Sequence, residues 1–257
     1  VNQAKEIQAA IAAGNDQATL ILDNVLEPDQ GTTYNVVGRI AGRSSDQQII
    51  VSAHYDLFFK AFQDDSTAVG LVLAMAKGMV DSGYQPENDI LFVCHGAEEW
   101  GAIGSQYDWT TGAWEMIHTA RPEWAGKTIA MLNFELPGTY DVAQQWKISC
   151  VPEFANLAAA MAGEDGVFSQ PVNDVYPRGL DPVSVDTNTQ EDGISYRWHG
   201  VPYFINIPGF EGSWAEEHYH TLADDRDTYS PDVMQTNLNN FGALAIYLDK
   251  TPALALD

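Results

Sequence analysis

Three short apolar runs constrain this chain more than any other feature: Ile49-Ile50-Val51-Ser52, Ile90-Leu91-Phe92-Val93-Cys94 and Ile129-Ala130-Met131-Leu132. None alternates with polar residues, so each reads as a central strand buried on both faces. Between the first two, residues 65 to 80 carry Val69, Leu71, Val72, Leu73, Met75, Ala76 and Met79 at helical spacing. That apolar stripe is wide enough to pack on a sheet, and Asp64, Asp65 or Ser66 would cap the helix. Strands alternating with helices predict an α/β fold: a single domain whose mixed, mostly parallel central sheet is sandwiched between helices.

The rest of the chain extends the pattern. A helix is expected at 3–13, ended by Gly14-Asn15, then strands at 18–22, 33–40 and 48–53. Further strands are expected at 89–94, 127–134, 146–150 and 201–206, with helical segments at 101–121, 152–162, 193–199 and 232–249. The proline-rich stretch 164–190 reads as a long irregular excursion, and excursions of that length are often functional.

Of the 257 residues, 36 are acidic and 12 basic, a net charge of −24 that argues against nucleic acid or anionic membrane as partner. It suits an extracytoplasmic or high-salt setting. No segment reaches the roughly 20 apolar residues of a membrane span. Val1-Asn2-Gln3 has no signal-peptide character and no initiating Met, which points to a processed or truncated chain and to secretion with the export signal already removed. Cys94 and Cys150 fall in apolar strand-like segments and read as buried free thiols. Nothing in the sequence bears on oligomeric state.

The chemistry sits at the ends of the apolar runs. His54 and Asp56 follow the first, Gly96-Ala97-Glu98-Glu99-Trp100-Gly101 the second and Glu135 the third, and functional groups in open α/β sheets gather beyond the carboxyl ends of strands. Adjacent anions at a strand end need a cation to hold them. In His54-x-Asp56 the carboxylate is placed to hold the second nitrogen of a ligating imidazole. With Asp64-Asp65 and His218-Tyr219-His220, these residues form the acid and imidazole set of a metal-centred hydrolase. One glutamate of Glu98-Glu99 would bind metal while the other accepts a proton from water.

In order, His54-Tyr55-Asp56, Gln63-Asp64-Asp65, Gly96 to Gly101, Asn133-Phe134-Glu135-Leu136-Pro137-Gly138 and Tyr219-His220-Thr221 resemble the co-catalytic di-zinc exopeptidases of peptidase clan MH. The likeness spans residues 33 to 249 and is nearest to the family of secreted bacterial leucyl aminopeptidases and glutamate carboxypeptidase. The resemblance implies two zinc ions, for which cobalt or manganese could substitute. Asp64 would bridge them, with His54 and Glu135 completing one site and Glu99 and His220 the other. It makes Glu98 the general base, Asp56 the partner of His54, and Tyr219 a hydrogen-bond donor to the oxyanion. The continuation Thr221 to Thr228 selects His220 over His218. His95 is left with a supporting or packing role, and His118 and His199 with structural ones.

One departure and several alternatives accompany that resemblance. The family usually has Asp where this chain has Glu135, and the extra methylene is a large displacement against ligand distances of about 2.0–2.2 Å. Either the backbone adjusts or that site binds more weakly; an intact site with altered metal preference is the expectation. Residues 1–30 resemble the segment that follows a protease-associated domain, which would make this chain one piece of a longer product. Asp192 to Trp198 and Gly200 to Phe204 resemble a pocket-lining segment, and Trp100, Trp214, Phe58, Phe59 and Phe62 either line an apolar pocket or simply pack. The implied substrate is a peptide with a free terminus. Acidic surroundings favour an amino terminus, since capture of a carboxylate favours arginines and only Arg178 and Arg197 are candidates. A carboxypeptidase, a one-zinc glutaminyl-cyclase-like enzyme on the same fold and a catalytically silent binding domain are the alternatives.

Overall fold

The computed structural model describes residues 2–15, 17, 19, 21, 23, 31–44, 46–101, 109–139, 149–150, 152–154, 156–157, 184–185, 191–206, 214 and 217–251. Residues 1–32 and 33–257 are two compact units. In the first, helix α1 (Asn2–Ala12) forms where expected; the strand expected at 18–22 lies largely outside the described residues.

The second unit is organised by a sheet of seven strands: β1 (Val36–Ile40), β2 (Gln48–His54), β3 (Asp89–His95), β4 (Thr128–Phe134), β5 (Ser149–Cys150), β6 (Ser184–Val185) and β7 (Tyr203–Asn206). Their order is β1-β3-β2-β4-β7-β5-β6. The central four are parallel, β1 runs antiparallel to β3, and β5 runs antiparallel to β7 and parallel to β6. Every residue of β2 and β4 is buried, which is why these strands lack polar alternation. The stretch 164–190 lies outside the described residues except for β6, a strand within the segment expected to be irregular.

Helices α2 (Ala68–Asp81) and α5 (Pro231–Lys250) pack together on one face, and α3 (Thr111–Glu115) and α4 (Asp192–Arg197) pack together on the other. Strand alternation divides the residues between them. Phe134 meets Phe241 of α5, whereas Ile205 and Tyr203 approach Gly193 of α4. The parallel register puts Ser52, Asn133 and Ile205 on the α4 face. Helix α2 buries Ala68, Leu71, Val72, Met75 and Met79 at helical spacing, and Leu73 turns outward.

The helices depart from expectation at their starts. Asp64 (φ −107°, ψ 92°) and Asp65 (φ −127°, ψ 34°) are non-helical, and α2 begins only at Ala68 with no side-chain cap. The aspartates are turned into the site instead of onto the helix end. The helical span expected at 101–121 is described at 101 and from 109, and becomes helical only at Thr111, after Thr110 adopts a left-handed φ of 56°. A wide turn over Met116–Ala120 completes it. Of the helix expected at 152–162, only a turn at Pro152–Phe154 and residues 156–157 are described. Helix α5 follows its sequence closely: Ser230 Oγ accepts from the Val233 N–H at 3.3 Å and Pro231 takes the first position. Cys150 is buried as expected, Cys94 is half-buried, and no disulfide joins them.

At the far end of α5, Asp249 is only 2% exposed. It accepts from the Tyr84 hydroxyl (2.6 Å) and from the Glu87 (3.0 Å) and Asn88 (2.8 Å) amides, tying the helix to the loop before β3. Burial pushes this carboxyl up, but the Tyr84 hydroxyl, the two amides and Lys250 outweigh burial and hold it below the usual range. Such a group stabilises the fold fully above its unfolded pKa of about 3.9, and the contribution is lost as pH falls through the lower folded value. Asp249→Asn should therefore cost about 2 kcal/mol at neutral pH. Thermal melts should show the gap from wild type closing as pH drops below about 4.

Candidate metal centre

His54 ends β2, Glu98 and Glu99 lie in the turn after β3, and Glu135 follows β4, so the parallel register delivers them to one sheet edge. Four carboxylates lie within 4.0 Å of His54 Nε2: Asp64 (3.3 Å), Glu135 (3.4 Å), Glu98 (3.9 Å) and Asp65 (4.0 Å). His220 Nε2 lies 3.2 Å from the other oxygen of Asp64 and 3.4 Å from Glu99. Asp64 thus turns one oxygen to each histidine.

The Glu98-Glu99 turn is fixed mainly by backbone bonds. Ala97 takes a left-handed φ of 58°. The Asp56 carboxylate accepts from the Glu98 (3.0 Å) and Glu99 (3.1 Å) amides, while the Thr110 amide donates to the Glu98 carbonyl at 2.7 Å. Asn35 bridges the Gly96 N–H and the Gly112 carbonyl. Gly112 packs so closely that a Cβ there would lie 1.6 Å from the Gly96 carbonyl oxygen. Asp56 also serves His54, through its backbone carbonyl, 3.0 Å from Nδ1; its carboxylate stands farther off at 3.6 Å.

Asp224 secures the segment carrying Asp64: its carboxylate accepts from the Gln63 (2.9 Å) and Asp64 (3.1 Å) amides. Asp65 accepts from the Leu136 amide at 3.1 Å, next to Glu135. Glu135 is held by the Asn133 side-chain amide at 3.1 Å, and Asn133 accepts from Ser52 Oγ at 2.8 Å. On the α4 side, His95 joins Asp192 (2.9 Å) and Tyr196 (3.0 Å) in a fully buried network.

So many buried anions act on one another. Burial pushes Glu98 well above the usual carboxyl range, with Glu135, Asp192 and Glu99 adding to it and His54 opposing. Burial and Asp64 push Glu99 up to about 8, and burial and Glu135 raise Asp65. Burial pushes the His54 imidazole down, but Glu135, Asp56 and Asp64 outweigh it and hold it well above its ordinary value. Asp64 stays low because His220 and His54 outweigh its burial.

Both Glu99 oxygens, Asp64 Oδ2, Asp65 Oδ2 and His220 Nε2 are buried without hydrogen-bond partners among the described residues. All are oxygen or nitrogen donors that a divalent cation satisfies. Ligands of one tetrahedral ion at about 2.0–2.1 Å lie about 3.3–3.4 Å apart, the spacing seen from His54 to Asp64 and Glu135 and from His220 to Glu99. The groups fit metal.

A cavity of about 440 Å³ opens over the cluster, lined by the five candidate ligands, Glu98, Trp109, Leu136, Glu191 and Tyr219. The Tyr219 ring stacks on His220 at 3.8 Å, and burial with the neighbouring carboxylates raises its phenol, which stays a donor. The structure thus brings together every residue singled out as ligand or catalytic group. The pocket aromatics differ: Trp100 and Phe59 are exposed, Trp214 is buried against Thr228, Phe62 packs on Tyr229, and only Phe58, beside His220, adjoins the site. Neither Arg197 nor the pocket-lining segments at 192–198 and 200–204 line the cavity, and Arg178 lies outside the described residues. Trp109, Glu191, Asp224 and the Ser52–Asn133 pair were not foreseen. His218 stacks on Trp214 and, unlike His220, does not line the cavity.

A parallel sheet with a buried carboxylate–imidazole cluster at its carboxyl edge defines the class of metal-dependent α/β hydrolases. The pattern of peptidase family M28 matches residues 35–245, and the chain belongs to that family. It is 25% identical over 171 residues to a vacuolar membrane protease of Yarrowia lipolytica and 26% identical over 145 residues to a probable glutamate carboxypeptidase of Arthroderma benhamiae, covering 62% and 55% of this chain. The matches span only 17% and 18% of those relatives' lengths. In fold it is similar to an aminopeptidase from Aneurinibacillus sp. strain AM-1 (TM-score 0.64, 21% identity, 85% of this chain and 48% of that one). It is also similar to an Acidobacteriales bacterium glutaminyl cyclase (TM-score 0.66, 18% identity, 84% and 73%).

Because the Gly112 contact is with backbone, Gly112→Ala should cost about 1–3 kcal/mol by overpacking and displace the Glu98-Glu99 turn. A thermal melt together with metal content per chain should both fall.

Proposed function

We propose that this chain is the catalytic part of a co-catalytic di-zinc aminopeptidase acting outside the cytoplasm. The observation that carries the reading is Asp64, whose two oxygens face His54 at 3.3 Å and His220 at 3.2 Å. His54, Glu135 and Asp64 would hold one ion, and Asp64, Glu99 and His220 the other. Zinc at these positions supplies Lewis acidity toward the scissile carbonyl and a lowered pKa for water; cobalt or manganese suits the same donors. The Glu98 carboxylate, on the cavity wall beside the ligands, takes the proton from the attacking water. As the C–N bond breaks, Glu98 returns the proton to the leaving amine nitrogen. The Tyr219 hydroxyl donates to the developing oxyanion. Asp56 keeps His54 and both glutamates in place.

The substrate assigned is a peptide with a free amino terminus. Among the described residues lining the cavity there is no Lys or Arg, so beyond the metal a terminal carboxylate finds no Lys or Arg side chain, whereas a terminal ammonium finds carboxylates. The acidic balance of the chain supports an extracytoplasmic setting. Among the described residues, no helix is long and apolar enough to cross a membrane. A second reading, a one-zinc glutaminyl cyclase, is favoured by the likeness in fold to such an enzyme. His54 within the cluster speaks against it.

Plasma mass spectrometry combined with hydrolysis of amino-acid anilides decides between them. Two zinc per chain and chelator-sensitive release from free-amine anilides, with N-blocked ones inert, is the expected outcome. One zinc with cyclisation of amino-terminal glutamine would establish the second reading, and no metal with no activity a silent binding domain. Glu98→Gln should keep its metal and lose roughly 10²- to 10⁴-fold in kcat. Asn133→Ala, which frees Glu135, should weaken the affinity for one of the two ions by about 10- to 100-fold, measured by competition with a chelator.

A further inference from the structure

Away from the cavity, two histidines meet where the turn after α3 approaches the end of α4. His118 Nδ1 lies 3.0 Å from His199 Nε2, and His199 Nδ1 lies 2.7 Å from the Ser195 carbonyl oxygen. A carbonyl only accepts, so His199 carries its proton on Nδ1 and directs the Nε2 lone pair at His118. Metal-ligating histidines are held in this manner, one nitrogen donating to a carbonyl or carboxylate while the other binds.

The spacing fits as well. Two nitrogens bound to one ion at about 2.0–2.1 Å lie about 2.9 Å apart at a right angle, the arrangement of adjacent ligands in square-planar or tetragonal nickel and copper sites. Aromatic rings hold the pair: Trp114 stacks on His118 at 4.6 Å and 19° and meets His199 at 4.8 Å, with Trp198 edge-on to Trp114 at 6.0 Å. Much of the rotamer freedom that chelation would remove is already restricted by the fold.

We propose that His118 Nδ1 and His199 Nε2 form a surface site for one divalent transition-metal ion, separate from the catalytic cluster and completed by water. At that spacing an imidazole pair selects nickel or copper over magnesium or calcium. Binding releases no net proton. The proton that His118 Nδ1 donates to His199 passes through solvent to His118 Nε2, the ring being exposed. Neither histidine lines the cavity, so the ion acts without entering the reaction.

Calorimetry with Ni²⁺ on the zinc-loaded protein, read in parallel with quenching of tryptophan fluorescence, tests this. The wild-type chain should take up one Ni²⁺ beyond its zinc, with quenching; His118→Ala and His199→Ala should each bind at least about tenfold more weakly. Trp114→Phe should keep the binding and lose most of the quenching. Anilide hydrolysis should be unchanged in His118→Ala, whose exposed ring bears little on folding. No additional Ni²⁺ in the wild type, or equal uptake by wild type and His118→Ala, would overturn the proposal, whatever the zinc content of the cavity.

Discussion

Asp64, Asp65, Glu98 and Glu135 each place an oxygen within 4.0 Å of one buried imidazole nitrogen, and the surrounding loops are arranged to tolerate that concentration of charge. Carboxylates so close repel strongly where water is scarce, and each must be held by donors or by cations. Backbone amides supply the donors, and a relay of aspartates accepts them. Asp56, after β2, accepts the amides of Glu98 and Glu99 after β3. Asp224, near His220, accepts the amides of Gln63 and Asp64, and Asp65 accepts the amide of Leu136, beside Glu135. Each ligand-bearing segment is thereby tied to another by a charge-assisted bond, and no ligand position depends on its own loop alone. The remaining oxygens, those of Glu99 above all, are left for metal.

What the sequence revealed was whatever depends on one strand at a time. His54, Glu98, Glu99 and Glu135 were legible because each follows a continuously apolar run, and burial on both faces leaves few other assignments for such runs. What it concealed was long-range pairing. Asp224 reaches Gln63 and Asp64 across about 160 residues, and nothing local distinguishes it from the neighbouring Asp225 and Asp227. The misplaced start of α2 has the same origin: an aspartate pair before an apolar stripe is a good local cap, but the electrostatic demand of the site turned both side chains away from the helix. Trp109 escaped notice because it borders the site only once the turn before α3 folds back to bond the Glu98 carbonyl through Thr110. Exposed Trp100 and Phe59 show the converse, since composition alone cannot separate a rim aromatic from a surface one.

Charge also bears on how the cavity discriminates. Its described walls combine carboxylates with Trp109, Leu136 and Tyr219, so an incoming residue meets apolar surface while its ammonium meets anions. Two bound divalent ions would outweigh the three ligand carboxylates, and Glu98 and Glu191 are the described wall carboxylates outside the ligand set. Under the proposed aminopeptidase reading, the terminal ammonium of a substrate would meet these carboxylates.

Glu135 shows how the extra methylene is accommodated. A shifted backbone would break the strand pairing beyond β4, yet the Glu135 amide still donates to the Asn206 carbonyl at 2.9 Å. The side chain adjusts instead, folding so that one oxygen accepts from Asn133 while the other stands 3.4 Å from His54, nearly the 3.3 Å of Asp64. Asn133 is itself set by Ser52 Oγ, on the neighbouring strand and the same sheet face. With one oxygen committed to Asn133, Glu135 presents a single oxygen toward His54, which favours low coordination numbers and hence zinc over larger, oxygen-seeking ions. Under the proposed di-zinc reading, the metal preference of this position would be set by a buried serine–asparagine pair as much as by the identity of the ligand.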